Sequence, residues 1–356
     1  MILKFRNISY VKRQIVWAAA MLLASLGSVA QTDPQMTQYY EVPAFYNPAA
    51  IGITDNVNIR LGSRLQWVGI DNAPRAFLGT ANMPLKLFGK RFGIGLMAQQ
   101  ESAGLFRNLN IGLQLGYKQR LFKGELTAAV QIGFANEVFK GSDVFIPDND
   151  DYHQDTDEAI PRTDLSGNAI DLGLGVFYTH KLFWAGLSCT HINAPTITFS
   201  DDEGTSGSST THGTSTSRAD AAQTGSVTES GKNYEFQLRR ILYFMAGSNI
   251  PIKNTLFEVM PSLLVKTEFT TWRAEIDARV RWKKFISAGI GYRYDDAVIA
   301  TIAAEYKGFY VGYSYDYPTS AISKASSGSH EIIAGYSLKL NLSGKNNNKH
   351  KSIRIM

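Results

Sequence analysis

Strict alternation of apolar and polar positions runs through much of this chain. In the clearest case the apolar positions are Trp272, Ala274, Ile276, Ala278, Val280 and Trp282. The positions between and after them are charged: Arg273, Glu275, Asp277, Arg279, Arg281 and Lys283. A period of two residues predicts a β-strand, because successive side chains of a strand point to opposite faces.

The length and the polarity of this segment favour a strand that crosses a membrane. A spanning strand needs about 9–11 residues, apolar toward lipid, with aromatic residues at both interfaces. The apolar face begins at Trp272 and ends at Trp282. Six charges would be very unfavourable in the dry core of a soluble sandwich, whereas in a water-filled lumen they pair and hydrate. We therefore expect an outer-membrane β-barrel.

Similar segments recur along the chain and predict about fourteen strands. Their spans are 55–68, 75–84, 91–101, 107–122, 125–140, 168–182, 184–191, 233–250, 255–266, 271–283, 285–294, 297–306, 309–316 and 328–342. Very short links such as Lys307-Gly308 imply antiparallel hairpins. An even, closed array leaves no unpaired strand edge in lipid. The predicted fold class is all-β, an antiparallel transmembrane barrel.

The lengths of the links predict the orientation of the barrel. With both termini in the periplasm, the two longest links, 141–167 and 192–232, fall together on the outside, as is usual for outer-membrane barrels. The first is acidic, and the second is rich in Ser, Thr and Gly. The predicted organisation is a signal peptide (1–30), an N-terminal arm (31–54), the barrel (55–342) and a basic polar tail (343–356).

The first thirty residues read as a cleaved leader. They combine basic residues with a short apolar run, 15–27, and the small residues Ser28-Val29-Ala30, which leaves Gln31 as the mature terminus. The chain has 36 basic and 31 acidic residues. Four of the basic residues are Lys4, Arg6, Lys12 and Arg13. The mature chain is then 32 − 31 = +1, so its charge does not indicate a nucleic-acid partner.

The sequence offers little for catalysis or for a cofactor. Residues 93–98 match the GxGxxA dinucleotide fingerprint in letters, but a strand-like segment continues where a helix is required. Such glycines instead leave room for contents of the lumen. The single cysteine, Cys189, is read as an inert strand residue. Residues 148–151 (DNDD) could bind calcium, or they could form a solvated acidic loop. We expect no enzyme activity and no cofactor.

Several motifs resemble the PorP/SprF family. They are DPQMTQY (33–39), NPAAIG (47–52), RLQW (64–67), PSLLVK (261–266), GYRYDDA (291–297), GYSYD (312–316) and GSHEI (328–332). Their order and spacing cover nearly the whole mature chain. The resemblance implies an outer-membrane component of the type IX secretion and gliding machinery. It also implies as partners a periplasmic ring lipoprotein or other machine subunits, and for some paralogues a large secreted adhesin.

The motifs supply candidate residues for binding a partner or anchoring the arm. These are Asp33, Pro34, Tyr39, Asn47, Pro48, Arg64, Trp67, Arg293, Asp295, Tyr315, Asp316, His330 and Glu331. Further lumen-facing arginines (Arg60, Arg273, Arg279, Arg281) could hold the arm or pair with acidic residues such as Glu275 and Asp277. Alternatively, these charges only line water and pair between neighbouring strands.

Two functions remain open at this point. The first is a structural, client-handling component of the secretion machine, which predicts a plugged or narrow lumen. The alternative is a passive porin or transporter, which predicts an open pore. The long acidic and Ser/Thr-rich insertions depart from the family pattern. They leave open whether the chain is a core component or a paralogue devoted to one client.

Overall fold

The computed structural model describes residues 33–144, 163–200 and 233–340. The predicted leader, the basic tail, the DNDD segment and most of both long links lie outside the described residues. The described chain is almost entirely β-structure. No helix in these ranges is both long and apolar enough to span a membrane.

The strands follow one another closely in sequence. They are β1 Asn56–Leu65, β2 Arg75–Leu87, β3 Lys90–Ala103, β4 Phe106–Leu121, β5 Gly124–Lys140, β6 Asp164–Thr179, β7 Phe183–Thr190, β8 Thr196–Ser200, β9 Asn233–Gln237, β10 Ile241–Ser248, β11 Ile250–Pro251, β12 Phe257–Thr267, β13 Trp272–Trp282, β14 Ile286–Arg293, β15 Ala297–Tyr306, β16 Phe309–Pro318 and β17 Ser329–Lys339. One helical turn, α1, spans Pro43–Tyr46, and two short 3₁₀ turns span Gly141–Asp143 and Ala321–Lys324.

Fourteen of these strands form a closed antiparallel barrel. Sequence neighbours pair from β1 to β7 and from β12 to β17, and three further pairings, β7 with β10, β10 with β12 and β17 with β1, close the circle. The first and last strands pair from Asn56 opposite Lys339 to Leu65 opposite His330. Strand β10 bridges β7 and β12, while the two-residue β11 only extends the edge of β12. The predicted fold class and strand number are confirmed.

The two faces of the wall differ as the alternation predicts. Along β13, Ile276, Ala278 and Val280 are exposed on the outer face, whereas Glu275, Asp277 and Arg279 are buried on the inner face. Outward-facing side chains elsewhere are as exposed as Ile290 at 71%. A wall this apolar is stable only against lipid. The expectation that the inner charges face water was wrong, because Glu275 and Asp277 are only 1% and 4% exposed.

One predicted strand proves to be two elements. The span 233–250 contains β9, which is not a strand of the barrel wall, and the barrel strand β10. Among the described residues strand β9 pairs only with β8, and this two-stranded sheet packs on the inner face of β6, where Ile197 lies against Gly167. The apolar residues of β9 satisfy the same alternating pattern as a barrel strand. Alternation therefore cannot distinguish packing on the wall from membership of it.

The two ends of the barrel differ, and we name them by their connections. At the turn end, β1 begins, β17 ends and all other strands are joined by short connections. At the loop end lie the links 141–163 and 191–240. Strands β4, β5 and β6 have 16, 17 and 16 residues, against eight each in β7 and β10, so the wall is tallest around β5.

Candidate functional site

Residues 33–54 occupy the inside of the barrel, and we call this segment the arm. Met36, Tyr39, Tyr46 and Ile51 are fully buried and form the centre of the main hydrophobic cluster. The arm begins near the loop end, where Asp33 meets the end of β7, and reaches the turn end just before β1. The core of this protein is therefore the arm packed against inward-facing apolar side chains of the wall, such as Leu78, Phe177 and Leu264, with polar inward-facing residues around them.

Proline shapes the arm without excluding all helix. The three prolines predict an irregular segment, yet Pro43 begins the single turn α1. This position is compatible with proline, because the first residues of a helix have no intrahelical partner for their N–H groups. Asn47 ends the turn, and its side-chain oxygen accepts a hydrogen bond from the Ala49 backbone N–H at 2.9 Å.

Two buried arginines and three carboxylates surround Thr37 near the loop end. Arg64 Nη2 lies 2.7 Å from Asp316 Oδ2, and its Nη1 lies 3.3 Å from Glu331 Oε2. Arg293 contributes Nε to Glu275 Oε2 at 2.6 Å and Nη1 to Asp316 Oδ2 at 3.0 Å. These side chains come from five strands that are distant in sequence. Together with Thr37 we call them the charge cluster.

The arm supplies further hydrogen bonds to the charge cluster. Both arginines donate to Thr37 Oγ1, at 2.8 and 2.9 Å, and that hydroxyl lies within 3.0 Å of both Asp316 carboxylate oxygens. The backbone N–H groups of Thr37 and Gln38 donate to the two oxygens of Glu331. Buried charges are tolerable only when they are paired and hydrogen-bonded. The arm and the cluster therefore depend on each other.

Asp33 forms a second polar contact at the start of the arm. Its carboxylate accepts a hydrogen bond from Tyr243 Oη at 2.9 Å and lies 3.3 Å from His191 Nε2, while Lys266 Nζ donates to its backbone oxygen at 2.8 Å. His191 Nδ1 lies 2.9 Å from Asp171. The histidine is thus held between two carboxylates.

This arrangement changes the proton affinity of both groups. Burial alone would raise the pKa of Asp33, but the charge and hydrogen bond of His191 and the charge of Lys266 lower it to about 2. Burial alone would lower the pKa of His191, but the two neighbouring carboxylates raise it to about 10. Asp33 and His191 therefore form an ion pair at neutral pH.

The middle of the arm is held by a cation–π contact. The guanidinium of Arg279 lies 3.1 Å from the centre of the Tyr40 ring. Glu41, the next residue, lies 3.6 Å from Arg60 and 3.9 Å from Arg279. Arg281 instead pairs with Glu258 on the neighbouring strand β12. Of the arginines predicted to face the lumen, Arg60 and Arg279 thus contact the arm, whereas Arg281 pairs with the neighbouring strand.

Glycines allow the lower arm to approach the wall closely. A Cβ atom at Gly175 would lie 2.1 Å from Asn47 Oδ1, and one at Gly93 would lie 2.8 Å from Ile51 Cγ1. This packing agrees with the expectation that closely spaced glycines of the strands leave room for contents of the lumen. Residues 93–98 lie within β3, so no helix follows the GxGxxA letters.

Polar side chains of the wall bind the backbone of the same segment. Gln114 Nε2 donates to the Ala44 oxygen at 2.7 Å, Ser188 Oγ to the Tyr46 oxygen at 2.6 Å, and Lys118 Nζ to the Gly52 oxygen at 2.6 Å. Backbone groups of a segment without a sheet partner need such acceptors and donors when they are buried. The inner face of the wall supplies them.

The structure gathers some of the candidate residues around the arm and leaves others away from it. Nine lie in the arm or contact it: Asp33, Pro34, Tyr39, Asn47, Pro48, Arg64, Arg293, Asp316 and Glu331. Tyr315 and His330 face outward with their rings 5.2 Å apart. Asp295 is exposed in a turn, where its neighbour Asp296 makes the contact with Arg293. Trp67 lies in a loop-end connection.

Sequence reasoning missed several residues that contact the arm. Thr37 and Lys266 lie inside the motifs DPQMTQY (33–39) and PSLLVK (261–266) but are not among the candidate residues, and Tyr243 belongs to a segment predicted only as a strand. Alternation could have placed Lys266 on an inner face, since it is an even number of residues from the polar Ser262 of the same strand and lies opposite Arg273 of β13. For His191 no periodic signal exists, because it follows the end of β7.

Nothing in the described ranges forms a group of three or more His, Cys, Asp or Glu residues placed to hold a metal ion. The calcium candidate, residues 148–151, lies outside those ranges. Cys189 lies in β7 as a half-buried thiol.

Solved structures similar to this chain are outer-membrane barrels of low sequence identity. The toluene transporter TbuX of Ralstonia pickettii shares 10% identity at a TM-score of 0.47, with 84% of this chain and 94% of that chain covered. The toluene transporter TodX of Pseudomonas putida shares 9% identity at a TM-score of 0.45, with 90% and 98% covered. The translocator domain of the autotransporter NalP from Neisseria meningitidis shares 10% identity at a TM-score of 0.38, with 93% and 96% covered.

The family comparison is more specific. No curated protein matches the chain. A family model described as type IX secretion system membrane protein PorP/SprF matches residues 28–336, which include the arm and every strand of the barrel except the last few residues of β17. The earlier resemblance is thereby confirmed. This chain is an outer-membrane β-barrel that belongs to the PorP/SprF family.

Proposed function

We propose that this barrel serves the type IX secretion and gliding machinery through protein–protein contacts, supporting the secretion or surface attachment of client proteins. The observation that carries the proposal is the filled lumen. A porin needs a continuous aqueous path, whereas here Met36, Tyr39 and Tyr46 fill the centre of the barrel. Membership of the PorP/SprF family supports the same reading.

The arm makes the barrel a rigid platform. In this proposal Asp33, Tyr39, Asn47, Arg64, Arg293, Asp316 and Glu331 anchor the arm rather than bind a client. The buried charge cluster ties five strands to one segment, so that the wall cannot deform without breaking ion pairs. A stiff platform retains the shape of its exposed ends, which are the surfaces available to partners.

The orientation that fits this role has the turn end in the periplasm and the loop end outside. Short turns on the periplasmic side and long external loops are the usual arrangement in outer-membrane barrels. The leader 1–30 is removed on export in this proposal. A periplasmic ring lipoprotein or another machine subunit would then meet the turn end. A large secreted adhesin would meet the loop end, where the β4–β6 wall rises.

Conductance tests the platform against the porin alternative. The purified mature protein is inserted into planar bilayers, and current is recorded across single barrels. We expect no steady open state, because the arm fills the lumen. A steady conductance in most insertions would contradict the proposal and support a porin.

Site-specific photocrosslinking in outer membranes tests the partner contacts. A benzophenone amino acid replaces Asn168 near the loop end, Thr54 at the turn-end mouth, or Ile290 on the lipid-facing wall as the matched control. We expect protein adducts from the first two positions, and mass spectrometry identifies them. If Asn168 and Thr54 give no more protein adduct than Ile290, the barrel does not act through either end.

A further inference from the structure

The turn end of the barrel carries a ring of lysines. Its six connections comprise residues 88–89, 122–123, 180–182, 249–256, 283–285 and 307–308, all of them described. They contain Lys123, Lys181, Lys253, Lys283, Lys284 and Lys307, and Lys90 follows the first connection directly. None of these connections contains Asp or Glu. The positive charge is therefore spread around the whole circumference.

The loop end has the opposite character where its connections are fully described. These connections are 66–74, 104–105, 268–271, 294–296 and 319–328. They contain Asp71, Glu268, Asp295 and Asp296, with Lys324 as their only basic residue. The lysine ring is thus a property of one end and not of hairpin turns in general.

Turn geometry does not account for the lysines. Lys123, Lys283, Lys284 and Lys307 all have left-handed backbone conformations, with φ between 50° and 65°. Left-handed positions in short hairpin connections, here 122–123, 283–285 and 307–308, favour Asn and Gly, since other L-residues are strained there by about 1 kcal/mol or more. Lysine therefore occurs at positions where its backbone conformation is unfavourable, which indicates that its side chain has a function there.

Exposed aromatic residues accompany the lysines. Phe88 and Phe122 are 97% and 84% exposed at the tips of their turns. The ammonium of Lys283 lies 4.5 Å from the Trp282 ring centre, and that of Lys307 lies 5.2 Å from the Tyr306 ring centre. Aromatic rings of this kind lie at the membrane interface, and lysine stems follow apolar surface while the charge reaches the headgroups.

We propose that the lysine ring binds the anionic phospholipids of the leaflet at the turn end, through the phosphates of lipids with net negative charge. A leaflet surrounds the barrel at one level, as the ring does, whereas a docked protein covers one sector. With the orientation proposed above, this is the periplasmic leaflet. The lipid proposal itself depends only on the barrel and would survive the failure of the secretion proposal.

The charge is densest beside β4 to β7. A cavity of about 790 Å³ opens there, lined among others by Arg91, Arg120, Lys123 and Lys181. Arg91 is already paired with Asp55 and Glu125, at 3.0 Å each. The other three have no ion pair within the described part of the chain. This cavity opens at the mouth of the lumen beside Ile53 and Thr54 of the arm, so the headgroup contacts are assigned to the lysines of the connections and not to the cavity.

The test is lipid retention by the full mature protein. The protein is released from nanodiscs of equal phosphatidylglycerol and phosphatidylcholine, and native mass spectrometry counts the lipids that stay bound. The test variant combines Lys123→Asn, Lys283→Asn, Lys284→Asn and Lys307→Asn, because asparagine suits the left-handed turns and keeps the hairpins intact. One control replaces the same four lysines by arginine, and another is Lys324→Asn at the loop end.

We expect the wild type to retain phosphatidylglycerol preferentially, with a loss of about fivefold for each ring lysine removed. The arginine control and Lys324→Asn should keep the preference. Heat-modifiable migration in gels verifies that each barrel is folded. No preference in the wild type, or an equal loss in Lys324→Asn, would overturn the proposal. So would a ring variant that keeps its lipids but loses a co-purifying periplasmic protein, since the lysines would then serve a protein partner.

Discussion

Replacement of Arg293 by glutamine should destabilise the barrel more than almost any other single change on its inner wall. The side chain of Arg293 is 2% exposed and lies between Glu275 and Asp316. It also donates to Thr37 of the arm. Glutamine keeps part of the volume and some hydrogen bonding, but it leaves the buried carboxylates with one cation, Arg64, where they had two.

The expected cost follows from this burial. Removing one partner of a buried ion pair costs about 3–5 kcal/mol, because an uncompensated charge stays behind in a poorly solvated site. Arg281→Gln is the matched control. Arg281 also pairs with a glutamate, Glu258, but the side chains are 25% and 19% exposed. Pairs with access to water contribute about 0–1 kcal/mol. The two variants should therefore differ by at least about 2 kcal/mol.

The assay is reversible unfolding of the mature barrel from lipid vesicles in urea, followed by tryptophan fluorescence. Each variant gives a free energy of unfolding by linear extrapolation. A double change, Arg293→Gln with Glu275→Gln, should recover part of the loss because it also removes a stranded charge. If Arg293→Gln costs no more than Arg281→Gln, the charge cluster is hydrated rather than buried, and the reasoning fails.

Two further predictions concern the ends of the arm. His191 has a pKa raised above its unfolded value of 6.5 to about 10, so its contribution to stability is full below about pH 6.5 and is lost as the pH rises through 10. In His191→Gln the fall in unfolding free energy between those pH values should be smaller than in the wild type, and equal falls would show that the pair with Asp33 contributes nothing. Gly175→Ala should cost about 1–3 kcal/mol, because its Cβ would meet Asn47 at 2.1 Å. Gly79→Ala, where the nearest atom lies 3.4 Å away, is the control in the same unfolding assay, and equal costs would mean that the arm does not pack against β6.

The barrel could be predicted from the sequence because each strand faces lipid on one side and the lumen on the other. The environment of each face therefore determines the residue type at every second position. Alternation between Trp272 and Trp282 predicted β13, its outward face and its inward charges. The same alternation predicted a single barrel strand at 233–250, although β9, which is not part of the wall, carries a similar pattern. Boundaries that depend on what packs against a strand are not contained in its own periodicity.

The arm's motif residues were visible in the sequence, but their partners were not. Asp33, Arg64, Arg293 and Glu331 stand in separate motifs as much as 298 positions apart, and no local pattern states which of them meet. The sequence by itself determined the membrane-spanning wall, because alternation is a local consequence of lipid on one side and polar groups on the other. Only the tertiary structure decided that the lumen is filled rather than open, because closure of the wall brings distant charges around Thr37, where the arm supplies hydrogen bonds to them.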